Sequence, residues 1–278
     1  MSGNWISDAR SADGRWLLDG REVVHPDAHR GSRPWVTQEK VPARSGRGRE
    51  AAYGPHLMST AWTTIATAEL EDADLVLQQR GTDFLIWYDG RVLMNSFSRG
   101  SEEQLSVLAL AAIAPRDAPR ILIGGLGMGF TLRAALDGLS AAGRVTVAEL
   151  NQVIVDWCNG ALAPATDHAL ADPRVTLVIA DVAEVIAAAA PASLEAIILD
   201  LYEGPFDEVQ GRTDPFYSAG AIARQRQALA PGGTLAVWAE ASDPPYVARL
   251  EAEGFQVAVH PIESGDERHV VYVSRHAP

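Results

Sequence analysis

The chain has 278 residues, 47% of them hydrophobic, and a formal charge of −13 at neutral pH. That is enough apolar material for a substantial core, while a surface this acidic argues against non-specific affinity for nucleic acid, which depends on Lys and Arg. No apolar run approaches the roughly 18 residues of a membrane span, and the first eight residues lack the basic and apolar regions of a signal peptide, so a soluble, cytoplasmic protein with no membrane partner is expected.

Residues 1–55 mix Gly, Pro and Arg with Trp5, Trp16 and Trp35 and show no sustained period, which predicts an irregular N-terminal extension. Within it, 14–20 reads as a short hairpin and 44–49 as a mobile loop. Residues 56–115 form a second unit. The stretches 74–79, 84–88 and 91–94 read as strands, and Asp89-Gly90 between two of them is a strong hairpin signal. Ser101-Glu-Glu-Gln104 predicts a capping box ahead of an apolar helix over 105–113.

Residues 116–278 alternate strands with helices, the pattern of a doubly wound, mostly parallel α/β sheet of the Rossmann type. Strand 120–123 runs into Gly124, Gly125, Gly127 and Gly129, whose missing Cβ atoms permit positive φ and close approach of a ligand. A helix over 131–136 and a strand over 144–149 follow. Glu149 arrives twenty residues past Gly129, about the spacing at which an acid meets ribose hydroxyls in nucleotide-binding βαβ units. An adenosine-containing ligand is therefore expected. The only lysine is Lys40, which excludes a Walker-type ATP loop, and Phe130 stands where a dinucleotide fingerprint wants its third glycine. The turn thus favours S-adenosylmethionine or a relative over NAD.

Downstream, a helix over 151–162 precedes strand 175–180, which ends on Asp181, and helix 182–190 leads to strand 196–199, which ends on Asp200. The long stretch 201–215, holding Tyr202, Glu203 and Asp207, exceeds the usual 2–6 residues of a βα connection and is expected to act as a lid hinged at Gly204, Pro205 and Gly211. A helix over 218–230, a turn at Pro231-Gly-Gly233, a strand over 234–238, a helix over 244–254 and a closing strand pair over 255–262 and 268–274 complete the pattern. The pair predicts one antiparallel strand at the sheet edge. Cys158 is the only cysteine and sits beside Trp157 on a predicted helix, which reads as packing. Apart from His25 and His29, the histidines show no ligand spacing, and no metal site is expected.

Three parallel strands thus end on acids, Glu149, Asp181 and Asp200, and should converge on the glycine turn, because ligands of open α/β sheets bind beyond the carboxyl ends of the strands. With these residues the chain resembles the class I S-adenosylmethionine-dependent transferases, closest to their spermidine synthase (polyamine aminopropyltransferase) branch. The stretch 122–133 is similar to that branch's LIGGGDGGTLRE, Val147-Ala-Glu149 to its VEID, Asp172-Pro-Arg-Val175 to DPRV, Ala180-Asp-Val-Ala183 to GDA, and 197–205 to IIVDSSDP, with Phe216-Tyr217 echoing FY. The small β domain before the helix also looks like the branch's N-terminal hairpins.

The resemblance implies a binding site for S-adenosylmethionine or its decarboxylated form made by Gly124, Gly125, Gly127, Gly129, Glu149 on the ribose, Asp181 on the adenine amino group, and Gln79. It implies catalysis by Asp200 with Tyr202 and Glu203, without a metal, on a small amine-bearing substrate; a homodimer is compatible with it. Leu126, Met128 and Phe130 offer no counterpart to the branch's acid in the turn, and Ser106-Val107-Leu108 replaces its Tyr-His-Glu. Losing an anion there relieves repulsion of a methionine carboxylate, which favours the intact cofactor. Transfer of an aminopropyl or aminocarboxypropyl group is the leading expectation. Methyl transfer, and a non-catalytic nucleotide-binding protein of the same fold, are the alternatives.

Overall fold

The computed structural model describes residues 16–18, 21–23, 61–70, 74–201, 204–205, 214–264 and 267–276. The expectations for Trp5, His25, His29, Trp35, residues 44–49, Tyr202, Glu203, Asp207 and Gly211 fall outside the described residues. Near the N-terminus, β1 (Trp16–Leu18) pairs antiparallel with β2 (Arg21–Val23), so the stretch read as a hairpin supplies the first strand of one.

A four-stranded antiparallel meander follows: β3 (Thr63–Glu69), β4 (Asp74–Arg80), β5 (Asp83–Tyr88) and β6 (Arg91–Asn95). Asp89 and Gly90 both take positive φ, 46° and 71°, as the tight turns that match strand twist require. The sequence did not announce β3. Its inward residues are the small Ala66 and Ala68, and Thr63, Thr64, Ile65 and Thr67 are exposed, so no strong apolar alternation marks it.

Helix α1 spans Gly100–Ala112 and begins earlier than the capping-box pattern placed it. Arg99 is the N-cap, reinforced by its own ion pair to Glu103 at 2.9 Å, while Ser101 is buried within the first turn and donates to Glu102 Oε2 at 2.6 Å. The Asn95 side chain accepts from the amides of Phe97 and Ser98 and sets the turn that starts the helix upstream.

The larger sheet has seven strands: β7 (Arg120–Gly124), β8 (Arg144–Glu149), β9 (Val175–Ile179), β10 (Leu194–Leu199), β11 (Leu229–Ala239), β12 (Phe255–Ser264) and β13 (Glu267–His276). Their order is β9-β8-β7-β10-β11-β13-β12. Helices α2 (Phe130–Gly138), α3 (Gln152–Asn159), α4 (Val182–Ala188), α5 (Ala219–Ala228) and α6 (Pro244–Ala252) connect them. The closing hairpin occupies the edge, and the strand that opposes its neighbours, β13, lies one place in, between β11 and β12. Pro231-Gly-Gly233 does not interrupt β11 as a separate turn. It is absorbed where the register with β10 slips between Leu194/Leu229 and Ala196/Thr234.

Successive residues of β7 and β10 point to opposite faces, as strand geometry demands. Ile121, Ile123, Ala196 and Ile198 join a core shared with α1, α2 and the meander residues Leu75, Leu77, Phe84 and Ile86. Leu122, Ile197 and Leu199 join a second core with α4, α5 and α6. The sheet is thus buried on both faces, with the meander seated on one of them. Among the described residues no helix is long and apolar enough to cross a membrane.

Candidate functional site

Strand order reverses between β7 and β10, which opens a crevice at their carboxyl ends. Gly125 leaves β7 with φ +87° and donates its N–H to Ala148 O at 2.9 Å, Gly127 follows at φ +52°, and Gly129 at φ +88° caps α2. The space their Cβ atoms would fill belongs largely to the protein rather than to a ligand. A Cβ on Gly124 would press on Val182 and Leu199, one on Gly125 would collide with the Asp200 carbonyl, and one on Gly127 with the Met94 sulfur. The glycines therefore let β6, the end of β10 and α4 close around the turn. Gly125→Ala, strained in φ and blocked by backbone, should lower unfolding free energy by about 1–3 kcal/mol, read as a lower urea midpoint at unchanged slope.

Leu126, Met128 and Phe130, which alternate with these glycines, are all buried in the first core. Their side chains hold the turn down from below and leave its backbone on top. Cys158 is buried too, donating to Gly127 O at 3.2 Å, and burial pushes its thiol up to about 12 with the Glu149 charge adding to the effect. It packs beneath the turn, as its place beside Trp157 predicted.

Glu149 ends β8 and is 7% exposed. Its Oε2 accepts the Leu126 N–H and its Oε1 the Asn151 N–H, both at 2.8 Å. Burial raises its pKa, and these backbone donors work against that rise. One carboxylate thus ties the centre of the glycine turn to the start of α3. A carboxylate offers about four lone-pair directions, so acceptor capacity for a diol remains. Asp181 follows β9 and caps α4, with Oδ1 accepting the Ala183 N–H at 2.8 Å. Its Oδ2 has no hydrogen-bond partner among the described residues.

Asp200 follows β10 directly beside the turn, its N–H donating to Gly124 O at 2.9 Å. Its side chain is half-buried, and Oδ2 accepts from Thr131 Oγ1 on the first turn of α2. Desolvation pushes the carboxyl up to about 6, the hydrogen bond from Thr131 opposing it. Thr131 is the site residue that sequence reading missed: it served only to start a helix. The available signal was a hydroxyl in the first turn after the glycines, at the mouth of the crevice.

Gln79 lies on β4, on the same face as the buried Leu75 and Leu77, but its amide donates to Gly81 O at 2.9 Å within its own hairpin. Gly204 has φ +67°, and a Cβ there would meet Trp238 O at 2.5 Å, so the chain passes close against the end of β11 at this point. The Asp172-Pro-Arg174 turn is structural: Arg174 pairs with Asp172 at 2.8 Å and donates to the carbonyls of Leu136 and Leu139, clamping the end of α2. That guanidinium holds the Asp172 carboxyl down at about 2.

No protein-family model matches the chain. Over 123 residues, 44% of this chain, it is 35% identical to putrescine N-methyltransferase 3 of Nicotiana tabacum and 36% identical to putrescine N-methyltransferase 1 of Nicotiana attenuata, covering 30% and 29% of those proteins. The chain thus spans about a third of the length of these curated relatives. Among solved structures it is similar to spermidine synthase from Thermotoga maritima, with TM-score 0.61 and 17% identity over 76% of this chain and 72% of that one. A spermidine synthase in complex with the transition-state analogue AdoDATO gives TM-score 0.60 and 16% identity over the same shares, and a probable spermidine synthase from Corynebacterium glutamicum gives 0.54 and 19% over 76% and 79%. In fold this chain is similar to the spermidine synthases, and over 123 residues its sequence is similar to the putrescine N-methyltransferases.

Proposed function

We propose that the chain binds S-adenosylmethionine, or its decarboxylated form, and transfers an aminopropyl or aminocarboxypropyl group from the sulfonium to a small amine. The observation that carries this is the order of groups along the sheet edge: Asp181 after β9, Glu149 ending β8, the glycine turn after β7, and Asp200 after β10. Adjacent strands lie about 4.8 Å apart, so the four positions span about 14 Å. Asp181 then suits an adenine amino group, Glu149 a ribose diol, the turn a sulfonium, and Asp200 the acceptor. The AdoDATO complex of a spermidine synthase of like fold and the similarity to putrescine N-methyltransferases support this ligand class and an amine acceptor.

A sulfonium supplies an already activated carbon, so the protein's tasks are alignment and proton handling. Asp200 takes the proton of the attacking amine or orients its lone pair, with Tyr202 and Glu203 assigned to the same task from the sequence. The acidic chain favours a cationic acceptor before it enters.

Methyl transfer is the second reading. It is favoured by the putrescine N-methyltransferase similarity and by the burial of Leu126, Met128 and Phe130, which leaves no acid in the turn to meet a free aminopropyl ammonium. Chromatography of a turnover mixture separates the two. Methylthioadenosine is expected for aminopropyl or aminocarboxypropyl transfer, and S-adenosylhomocysteine would replace that reading with methyl transfer. Neither product, with S-adenosylmethionine still bound, would mean a nucleotide-binding protein without this chemistry.

A further inference from the structure

Thr131 Oγ1 stands between two oxygen atoms that can only accept while Asp200 is charged: Asp200 Oδ2, within hydrogen-bond reach, and the Glu102 carbonyl at 3.4 Å. A hydroxyl has one proton to give and two lone pairs to receive with. It cannot donate to both. With Asp200 ionised, the charged acceptor takes the proton, because charge-assisted bonds are the stronger. With Asp200 protonated, the carboxyl O–H donates to Oγ1, and the Thr131 proton is released to the Glu102 carbonyl.

The residue is held for this. Thr131 is buried, its helix packs against α1, and its own carbonyl accepts from Ser106 Oγ at 2.7 Å. Helix α1 therefore engages the residue at both hydroxyl and main chain. Asp200 Oδ1, by contrast, has no hydrogen-bond partner among the described residues.

We propose that Thr131 is the positioning residue of Asp200: it fixes Oδ2 so that Oδ1 faces the acceptor amine, and it reverses its own hydrogen bond when the carboxyl changes charge. The inference rests on the reading of Asp200 as the base. Among the described residues, the charges of Asp200 and Asp214 both act on Tyr217 before α5; Glu102 lies on α1 and Arg133 on α2, the helices that hold Thr131, and along the sheet edge the exposed Glu240 follows β11, the strand beside β10, while Glu149 and Asp181 lie one and two strands beyond β7. Burial holds Tyr217 well above the ordinary tyrosine range, so it stays neutral. The Glu102 carboxylate accepts from Ser101, and Arg133 pairs with Asp137.

The test is a carboxyl-carbon NMR titration of the full chain without substrate, the Asp200 signal being assigned by its loss in Asp200→Asn. Thr131→Val keeps the shape and removes the hydroxyl, and should raise the Asp200 midpoint by about one pH unit, because the charge-assisted bond lost from the ionised form is stronger than the one lost from the neutral form. Thr131→Ser should restore the wild-type midpoint. If the valine variant does not fold, Thr131→Ala compared with Thr131→Ser gives the same contrast. A Val or Ala midpoint equal to wild type, or a Ser midpoint displaced as far as theirs, overturns the proposal. The titration needs no turnover: shifted midpoints in a protein with no transferase activity would sink the proposed function and with it the role of Oδ1 toward an acceptor amine, leaving only the Thr131–Asp200 hydrogen bond and its reversal. An active transferase with unshifted midpoints would do the reverse.

Discussion

Asp200→Asn is expected to lower turnover by about 10²–10⁴, the range for losing a general base, while the dissociation constant for the cofactor moves less than about threefold, well under 1.4 kcal/mol. The amide nearly matches the carboxylate in shape and can still accept from Thr131, so the crevice should keep its form. It cannot take a proton. Stopped-assay rates beside calorimetric titration with S-adenosylmethionine separate the two quantities. Equal losses in rate and binding would make Asp200 a cofactor ligand, and full activity would pass the base role to another group. The wild-type rate carries its own signature. Burial places the Asp200 carboxyl at about 6, and a base must be unprotonated to act, so activity should fall about tenfold per pH unit below that value and level off above it. An acid limb centred near 4 would mean that the working carboxylate is better solvated than this one.

Glu149→Gln should weaken cofactor binding at least tenfold, through two routes that the structure separates. A carboxylate can meet both ribose hydroxyls with charge-assisted bonds worth about 1.5–3 kcal/mol each, and an amide meets one at best. The same side chain also accepts from Leu126 and Asn151 on opposite oxygens. An amide has a single oxygen, so one of those N–H groups would face an N–H₂. Leaving a buried donor unmatched costs about 1–3 kcal/mol, which should appear as a lower unfolding midpoint. Titration well below that midpoint isolates the binding loss. Unchanged affinity with an intact fold would remove Glu149 from the ribose.

The sheet strands and the place of the three acids were legible because buried parallel strands are short apolar runs and because ligands bind where such strands end. Glu149, Asp181 and Asp200 needed only that rule. The glycines were read correctly as backbone freedom and incompletely as ligand space: sequence shows that a Cβ is missing, and only packing shows that Asp200, Met94 and Val182 occupy its place. β3 escaped because its inward residues, Ala66 and Ala68, are too small to mark a period against the exposed threonines. The capping box at Ser101 failed because the pattern fits more than one start, and the Asn95 turn with the Arg99–Glu103 pair selected the earlier one. Thr131 is invisible in one dimension, since its partner lies sixty-nine positions away.

The placement of β13 bears on how the chain is made. It hydrogen-bonds to β11 on one side and β12 on the other, yet it leaves the ribosome after both. Until it arrives, β11 presents a long open edge beside β10, and β12 has no strand to pair with. Such edges are templates for joining other chains, and synthesis at about 5–20 residues per second leaves them bare for seconds. The nascent chain should therefore be most prone to aggregate while this strand is still in the exit tunnel, and ribosome-bound lengths stopping short of residue 267 should draw holding chaperones that lengths with β13 fully emerged do not.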